Sequence, residues 1–128
     1  MAVSLLIVDD EVDIRDCVED FLLPYGFEVF QAGSADEAML ILASQPITVL
    51  VSDVVMPGMN GIDLADAAVA LQPELGVLLI SGYVGNPELM QNTHRFLAKP
   101  FRMDKLLSAI GELAKKKAGD HKGSPAKV

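Results

Sequence analysis

Residues 5–13 read LLIVDDEVD, four aliphatic residues running straight into Asp9, Asp10 and Glu11 with no turn residue between them. A buried strand ending in adjacent carboxylates gathers like charges where water is scarce, and each disfavours the ionised form of its neighbour. The same pattern recurs downstream. VLVSDVVMPGMNG (49–61) brings an aliphatic run to Asp53, VLLISGY (77–83) brings one to Ser81, and FLAKP (96–100) brings one to Lys99. Counting outward from these, five short strands are predicted: Leu5–Val8, Glu28–Ala32, Val49–Ser52, Val77–Ile80 and Phe96–Ala98. Several lack the apolar–polar alternation of a half-exposed sheet, which suits parallel strands covered on both faces.

Helical spacing fills the intervals. Ile14, Cys17, Val18, Phe21 and Leu22 form one stripe, ending near Pro24 and Gly26. Ser34 with Glu37 three residues on is a capping-box pattern, followed by Ala38, Ile41 and Leu42. Leu64, Ala67, Ala68 and Leu71 make a third stripe, stopped by Pro73. Asn86 and Pro87 suit the cap and first position of a short fourth helix. Met103, Leu106, Leu107, Ile110 and Leu113 form the fifth face. Strand and helix thus alternate five times, the order of a doubly wound α/β sheet with right-handed crossovers.

The 128 residues are 51% hydrophobic, enough for one well-buried core and too few for two ordinary domains. Cys17 is the only cysteine. No internal disulfide can form, and its place beside Ile14 and Phe21 predicts a small buried hydrophobe. The N-terminus has no basic leader region, and no apolar run approaches the roughly 20 residues of a membrane span, so a cytoplasmic protein with no membrane partner is expected. Net charge is -8, although Lys115, Lys116, Lys117, Lys122 and Lys127 crowd the C-terminus. Such an acidic surface repels phosphate backbones, and direct nucleic-acid binding is not expected. Apolar periodicity stops near Lys115, which predicts an ordered domain over 1–115 and a flexible basic tail over 116–128.

In an open parallel sheet, ligands bind beyond the carboxyl ends of the strands. If the first and third strands are neighbours, Asp9, Asp10 and Asp53 converge there and need a cation. Oxygen ligands without cysteine or histidine point to a hard ion, and Mg²⁺ commonly uses one or two carboxylates, waters and a phosphate. Lys99 supplies a second cation and Ser81 a hydroxyl donor. One strand-terminal aspartate alone is more often a turn former or helix cap. Four chemically matched strand ends in one chain make the site reading the better one.

The motifs IVDDE, SDVVMPGMNG, SGY and FLAKPF, in this order and spacing, resemble the receiver domain of two-component response regulators over residues 1 to about 115. The resemblance implies a (βα)5 flavodoxin-like fold with strand order 2-1-3-4-5. It implies that Asp53 is the phosphoacceptor, receiving a phosphoryl group from a histidine kinase or histidine phosphotransfer protein. By the same likeness Asp10 and Asp53 ligate Mg²⁺ directly, Asp9 does so through a water, and Val55 contributes its backbone carbonyl. Lys99 would pair with the acceptor carboxylate and then with a phosphoryl oxygen. Ser81 and Phe96 would be the switch pair, with Gly82 leaving room, and would move the surface of the fourth helix, fifth strand and fifth helix. A cis Lys99-Pro100 bond is also implied.

Bulky Val55 and Tyr83 stand where such domains often tune phosphoryl lifetime, and would either crowd the hydrolytic water or merely cover the crevice. The MPGMNG loop is better explained by glycine backbone freedom than as a methionine ligand box. His94 and His121 are read as surface or loop residues, and Asp63 and Asp66 as a solvated face. Two other functions compete. An aspartyl-phosphate phosphatase would want a second acid where Val55 stands, and a receiver-like interaction module not regulated by phosphorylation would ordinarily have lost part of the acidic set. Output is expected through a downstream protein partner or self-association, unless the chain is a receiver excised from a longer regulator or hybrid histidine kinase.

Overall fold

The structure is a computed structural model that describes residues 3–56, 58, 60–81 and 94–122, with side chains as far as Lys115. Five parallel strands, β1 (Ser4–Val8), β2 (Glu28–Ala32), β3 (Val49–Asp53), β4 (Gly76–Ser81) and β5 (Arg95–Ala98), form one sheet in the order β2-β1-β3-β4-β5. Four described helices accompany them: α1 (Val12–Leu22), α2 (Ala35–Ser44), α3 (Gly61–Leu71) and the C-terminal α4 (Met103–Lys122). The helix expected from Asn86 and Pro87 lies outside the described residues, as do Gly82 and Tyr83.

Every residue of β1 is buried, as a strand covered on both faces requires. Its alternating side chains divide the core in two. Leu6 and Val8 join Leu42, Leu50, Leu64 and Leu79 on one side of the sheet, while Leu5 and Ile7 join Leu22, Leu78, Leu106 and Ile110 on the other. The edge strands β2 and β5 are only partly covered.

Burial corrects the stripes read from sequence. On α1 the fully buried positions are Val18 and Leu22, four apart. Cys17 sits one residue, roughly 100° of helical rotation, from Val18 and is exposed, as is Ile14. In α3 the inward residues are Gly61, Leu64, Ala65 and Ala68, with Leu71 left outside. Ala65 stands one turn before Val69, which packs on the same cluster, so the stripe is rotated by one position from the expected one. The last helix continues to Lys122, past the loss of apolar periodicity near Lys115, because Ala and Lys are strong helix formers that need no buried face to propagate a helix already nucleated.

Helix ends follow local chemistry. Ser34 Oγ accepts the Glu37 N–H at 3.2 Å, and Glu37 Oε1 accepts the N–H of Gly33 at 2.6 Å, so the box closes one residue upstream of its usual partner. α1 gives way to a 3₁₀ turn over Leu23–Tyr25, closed by Gly26. Gln72, just beyond α3, ties the two neighbouring helices together. Its amide donates to the carbonyls of Leu42 and Gln45, both at 2.8 Å, and its oxygen accepts the Ile47 N–H at 2.9 Å. Three backbone groups at the end of α2 are thereby satisfied.

Candidate functional site

Strand register assembles the site. Val8 pairs with Ser52, so the residues that follow, Asp9 just past β1 and Asp53 at the end of β3, come side by side at the rim of the sheet. Asp53 pairs with Ile80, and Ser81 with Ala98, bringing Ser81 and Lys99 to the same rim. One carboxylate oxygen from each of Asp9, Asp10 and Asp53 lies within 4.8 Å of the others. The three differ in exposure: Asp9 is buried, Asp53 half-buried and Asp10 exposed.

Lys99 Nζ donates to Asp53 Oδ2 at 3.2 Å. The Lys99 N–H donates to the Ser81 carbonyl at 2.7 Å, extending the pairing of β4 and β5 past the strand end, and Lys99-Pro100 is cis. Burial pushes the Asp9 carboxyl above the ordinary carboxylate range, and the charges of Asp53 and Asp10 add to that. The Glu11 N–H, which Asp9 Oδ1 accepts at 2.9 Å, and Lys99 work against it. One lysine thus faces three carboxylates. A hard divalent cation matches the surplus, since the donors are all oxygen and neither histidine nor cysteine joins the group.

The loop after β3 is shaped by close approach. The Val54 N–H donates to the Ile80 carbonyl at 2.9 Å, and Val54 and Met56 are buried. Val55 between them is 74% exposed. Gly58 has φ 86°, the left-handed freedom expected of this loop. Gly61 serves differently: its N–H donates to the Val54 carbonyl at 2.7 Å, and its α-carbon lies so near Asp53 that a Cβ would meet the Asp53 carbonyl oxygen at 2.1 Å. Asn60 caps α3, its Oδ1 accepting the Asp63 N–H at 2.8 Å.

Phe96 lies on β5, partly buried against the α2–α3 side of the core. His94, read from sequence as a surface or loop residue, is 12% exposed and its Nε2 is 2.9 Å from Asp66 Oδ1. Asp66 remains 66% exposed, as a solvated face requires, while meeting His94 just ahead of β5.

A family model for the response regulator receiver domain matches residues 5–111. The chain belongs to this family. Among curated receiver relatives, the probable chemotaxis protein CheY of Rhizobium etli is 34% identical over 116 residues, covering 84% of this chain and 89% of that one. The C4-dicarboxylate transport transcriptional regulatory protein DctD of Rhizobium meliloti is 32% identical over 120 residues, 91% of this chain. This receiver spans 26% of the length of DctD. A CheY-like receiver domain protein from Methanospirillum hungatei superposes with a TM-score of 0.86 at 25% identity, covering 94% of this chain and 99% of that one. Among the described residues, no helix of the receiver is long and apolar enough to cross a membrane.

Sequence reasoning found each acidic and basic member of the notch. It missed Arg15, whose Nη1 donates to the Asp9 carbonyl at 2.6 Å, along with Asn60 and Gln72. An arginine on the first turns of a helix carries no local mark of where its guanidinium will land.

Proposed function

We propose that this receiver is the phosphoacceptor of a two-component histidine-to-aspartate relay, and that Asp53 takes the phosphoryl group from a histidine kinase or a histidine phosphotransfer protein. What carries the reading is the meeting of Asp53 with its counter-charge, Lys99 at 3.2 Å, and with the like-charged Asp9–Asp10 pair, within 4.8 Å, which together call for a cation. A carboxylate oxygen of Asp53 forms the bond to phosphorus as the bond from phosphorus to the donor nitrogen breaks. Asp10 and Asp53, the Val55 carbonyl, and Asp9 through a water would hold Mg²⁺. Bound there, the ion would neutralise the carboxylates and the phosphoryl oxygens. Lys99 then trades the Asp53 carboxylate for a phosphoryl oxygen, and Ser81 donates its hydroxyl to another.

Signalling follows as a population shift between two packings, driven only by the difference in their affinity for the phosphoryl group. Ser81 drawn toward Asp53 would vacate space for Phe96. The surface around β5, α4 and the helix expected before β5 would then change, for a downstream protein partner or for self-association. DctD is named as a transcriptional regulator and is about three and a half times as long as this chain. If this chain likewise belongs to a longer regulator, output would pass through the remainder.

The deciding experiment is incubation with Mg²⁺ and acetyl phosphate, read by intact mass and peptide mapping. One phosphoryl group per chain on Asp53, lost on chelating Mg²⁺, is expected. Continuous turnover of the donor would identify a phosphatase, and no incorporation an unmodified interaction module. A second measurement concerns lifetime. Val55 stands two residues after Asp53, is mostly exposed and is apolar, so it offers no group to orient a water. Val55→Asn, whose amide can hold a water, should speed dephosphorylation several-fold after donor removal; an unchanged rate would leave Val55 as a mere cover.

A further inference from the structure

The turn that carries Asp9 and Asp10 is fastened by more than strand pairing. The Asp9 N–H donates to the Ala32 carbonyl at 3.2 Å, which ties it to β2, and the Asp9 carbonyl accepts Arg15 Nη1 at 2.6 Å. The guanidinium is itself held, since Arg15 Nε donates to Gln31 Oε1 at 2.9 Å. Gln31 Nε2 in turn donates to Glu19 Oε1 at 2.5 Å and Asp16 Oδ1 at 3.1 Å, both on α1. Gly33 makes space for the fork: a Cβ there would stand 3.1 Å from Arg15 Nη1. A planar, two-toothed donor is thus locked between α1 and β2 with one tooth on the main chain of the acidic pair.

We propose that Arg15 is a positioning residue for the metal site, fixing the β1–α1 turn so that Asp9 and Asp10 face Asp53 at the spacing a divalent ion requires. The inference rests on the reading that the acidic notch holds Mg²⁺. It separates cleanly from a charge effect. Arg15 bonds to the Asp9 main-chain carbonyl, whereas the cation paired with a carboxylate of the notch is Lys99, 3.2 Å from Asp53 Oδ2. As a bare positive charge near the notch, Arg15 would repel Mg²⁺, and its removal would tighten binding. As a clamp, its removal loosens binding. Residues that orient metal ligands from behind typically govern metal affinity by about ten- to a hundredfold.

The test is a Mg²⁺ titration of the whole chain, followed by backbone amide shifts around Asp10 and Asp53, for wild type, Arg15→Ala, Arg15→Lys and Gln31→Ala. Thermal unfolding of each variant runs alongside. Arg15→Ala should weaken binding about tenfold. Arg15→Lys keeps the charge but cannot bridge the carbonyl and Gln31, and should also weaken it. Gln31→Ala should do so to a smaller extent. Acetyl phosphate labelling should fall at low Mg²⁺ and recover at saturation, a pattern that lost fold stability alone would not give. If Arg15→Ala does not fold, the lysine and Gln31 variants decide. Unchanged or tighter binding in the folded variants, with wild type binding normally, overturns the inference and leaves the site reading intact. Failure of wild type to bind Mg²⁺ removes both.

Discussion

Asp53→Asn should abolish phosphoryl incorporation, lowering its rate by at least about a hundredfold in Mg²⁺ and acetyl phosphate. The substituted amide keeps the size of the side chain and can still fill the rim between β3 and β4, yet it offers no anionic oxygen to form the bond to phosphorus. Folding should not suffer. Asp53 is one of three crowded carboxylates, and its charge helps raise the Asp9 pKa, so neutralising it relieves repulsion at the cost of a partly exposed pair with Lys99. The melting temperature without metal should hold steady or rise, and added Mg²⁺ should raise it less than in wild type, because one of the proposed ligands is gone. Differential scanning calorimetry with and without Mg²⁺ reads both effects on the samples used for labelling. Full labelling of the variant would move the acceptor elsewhere, and an unfolded variant would show that the notch depends on the Asp53–Lys99 pair more than its partial exposure suggests.

How legible this molecule was follows from the range over which each feature is determined. The strands begin and end within a residue of their predicted limits because doubly covered parallel strands must be continuous aliphatic runs, and polar punctuation marks where they leave the core. The notch was legible for the same reason: Asp9, Ser81 and Lys99 are the first polar residues after those runs, and Asp53 follows directly on Ser52. Which face a helix buries is set less locally. Alanine is buried or exposed at little difference in free energy, so Ala65 and Ala67 exchange roles with a small rotation of α3, and Leu71 is left outside. Cys17 was misplaced by a similar margin. Arg15, Gln72 and His94 were out of reach because their partners, at Asp9, Leu42 and Asp66, are fixed by tertiary packing and not by spacing. The acidic pair could thus be read from sequence, but the clamp behind it could not.

Among the described glycines, Gly61 should suffer most from the addition of a single methyl group, as Gly61→Ala. The added Cβ would fall 2.1 Å from the Asp53 carbonyl oxygen and 3.0 Å from both the Asp53 carbonyl carbon and Val54 Cα, all of them main-chain atoms that cannot swing aside. Either the N-terminus of α3 moves off the sheet, breaking the 2.7 Å bond from the Gly61 N–H to Val54, or the end of β3 moves and carries the Asp53 side chain with it. A loss of about 1–3 kcal/mol or more is expected from such overpacking, together with slower labelling of Asp53. Two other glycines calibrate the cause. Gly58 has open space around it but φ 86°, so alanine there pays only the left-handed backbone penalty of roughly 1–2 kcal/mol, away from Asp53. Gly111, exposed on α4 with nothing within 4 Å, should become more stable by up to about 1 kcal/mol as alanine. Chemical denaturation of the three variants thus puts one chemical change through a steric clash, a backbone strain and a helix-propensity gain. Only the first should also impair phosphoryl transfer, because only there is the obstructed atom part of Asp53, the proposed phosphoacceptor.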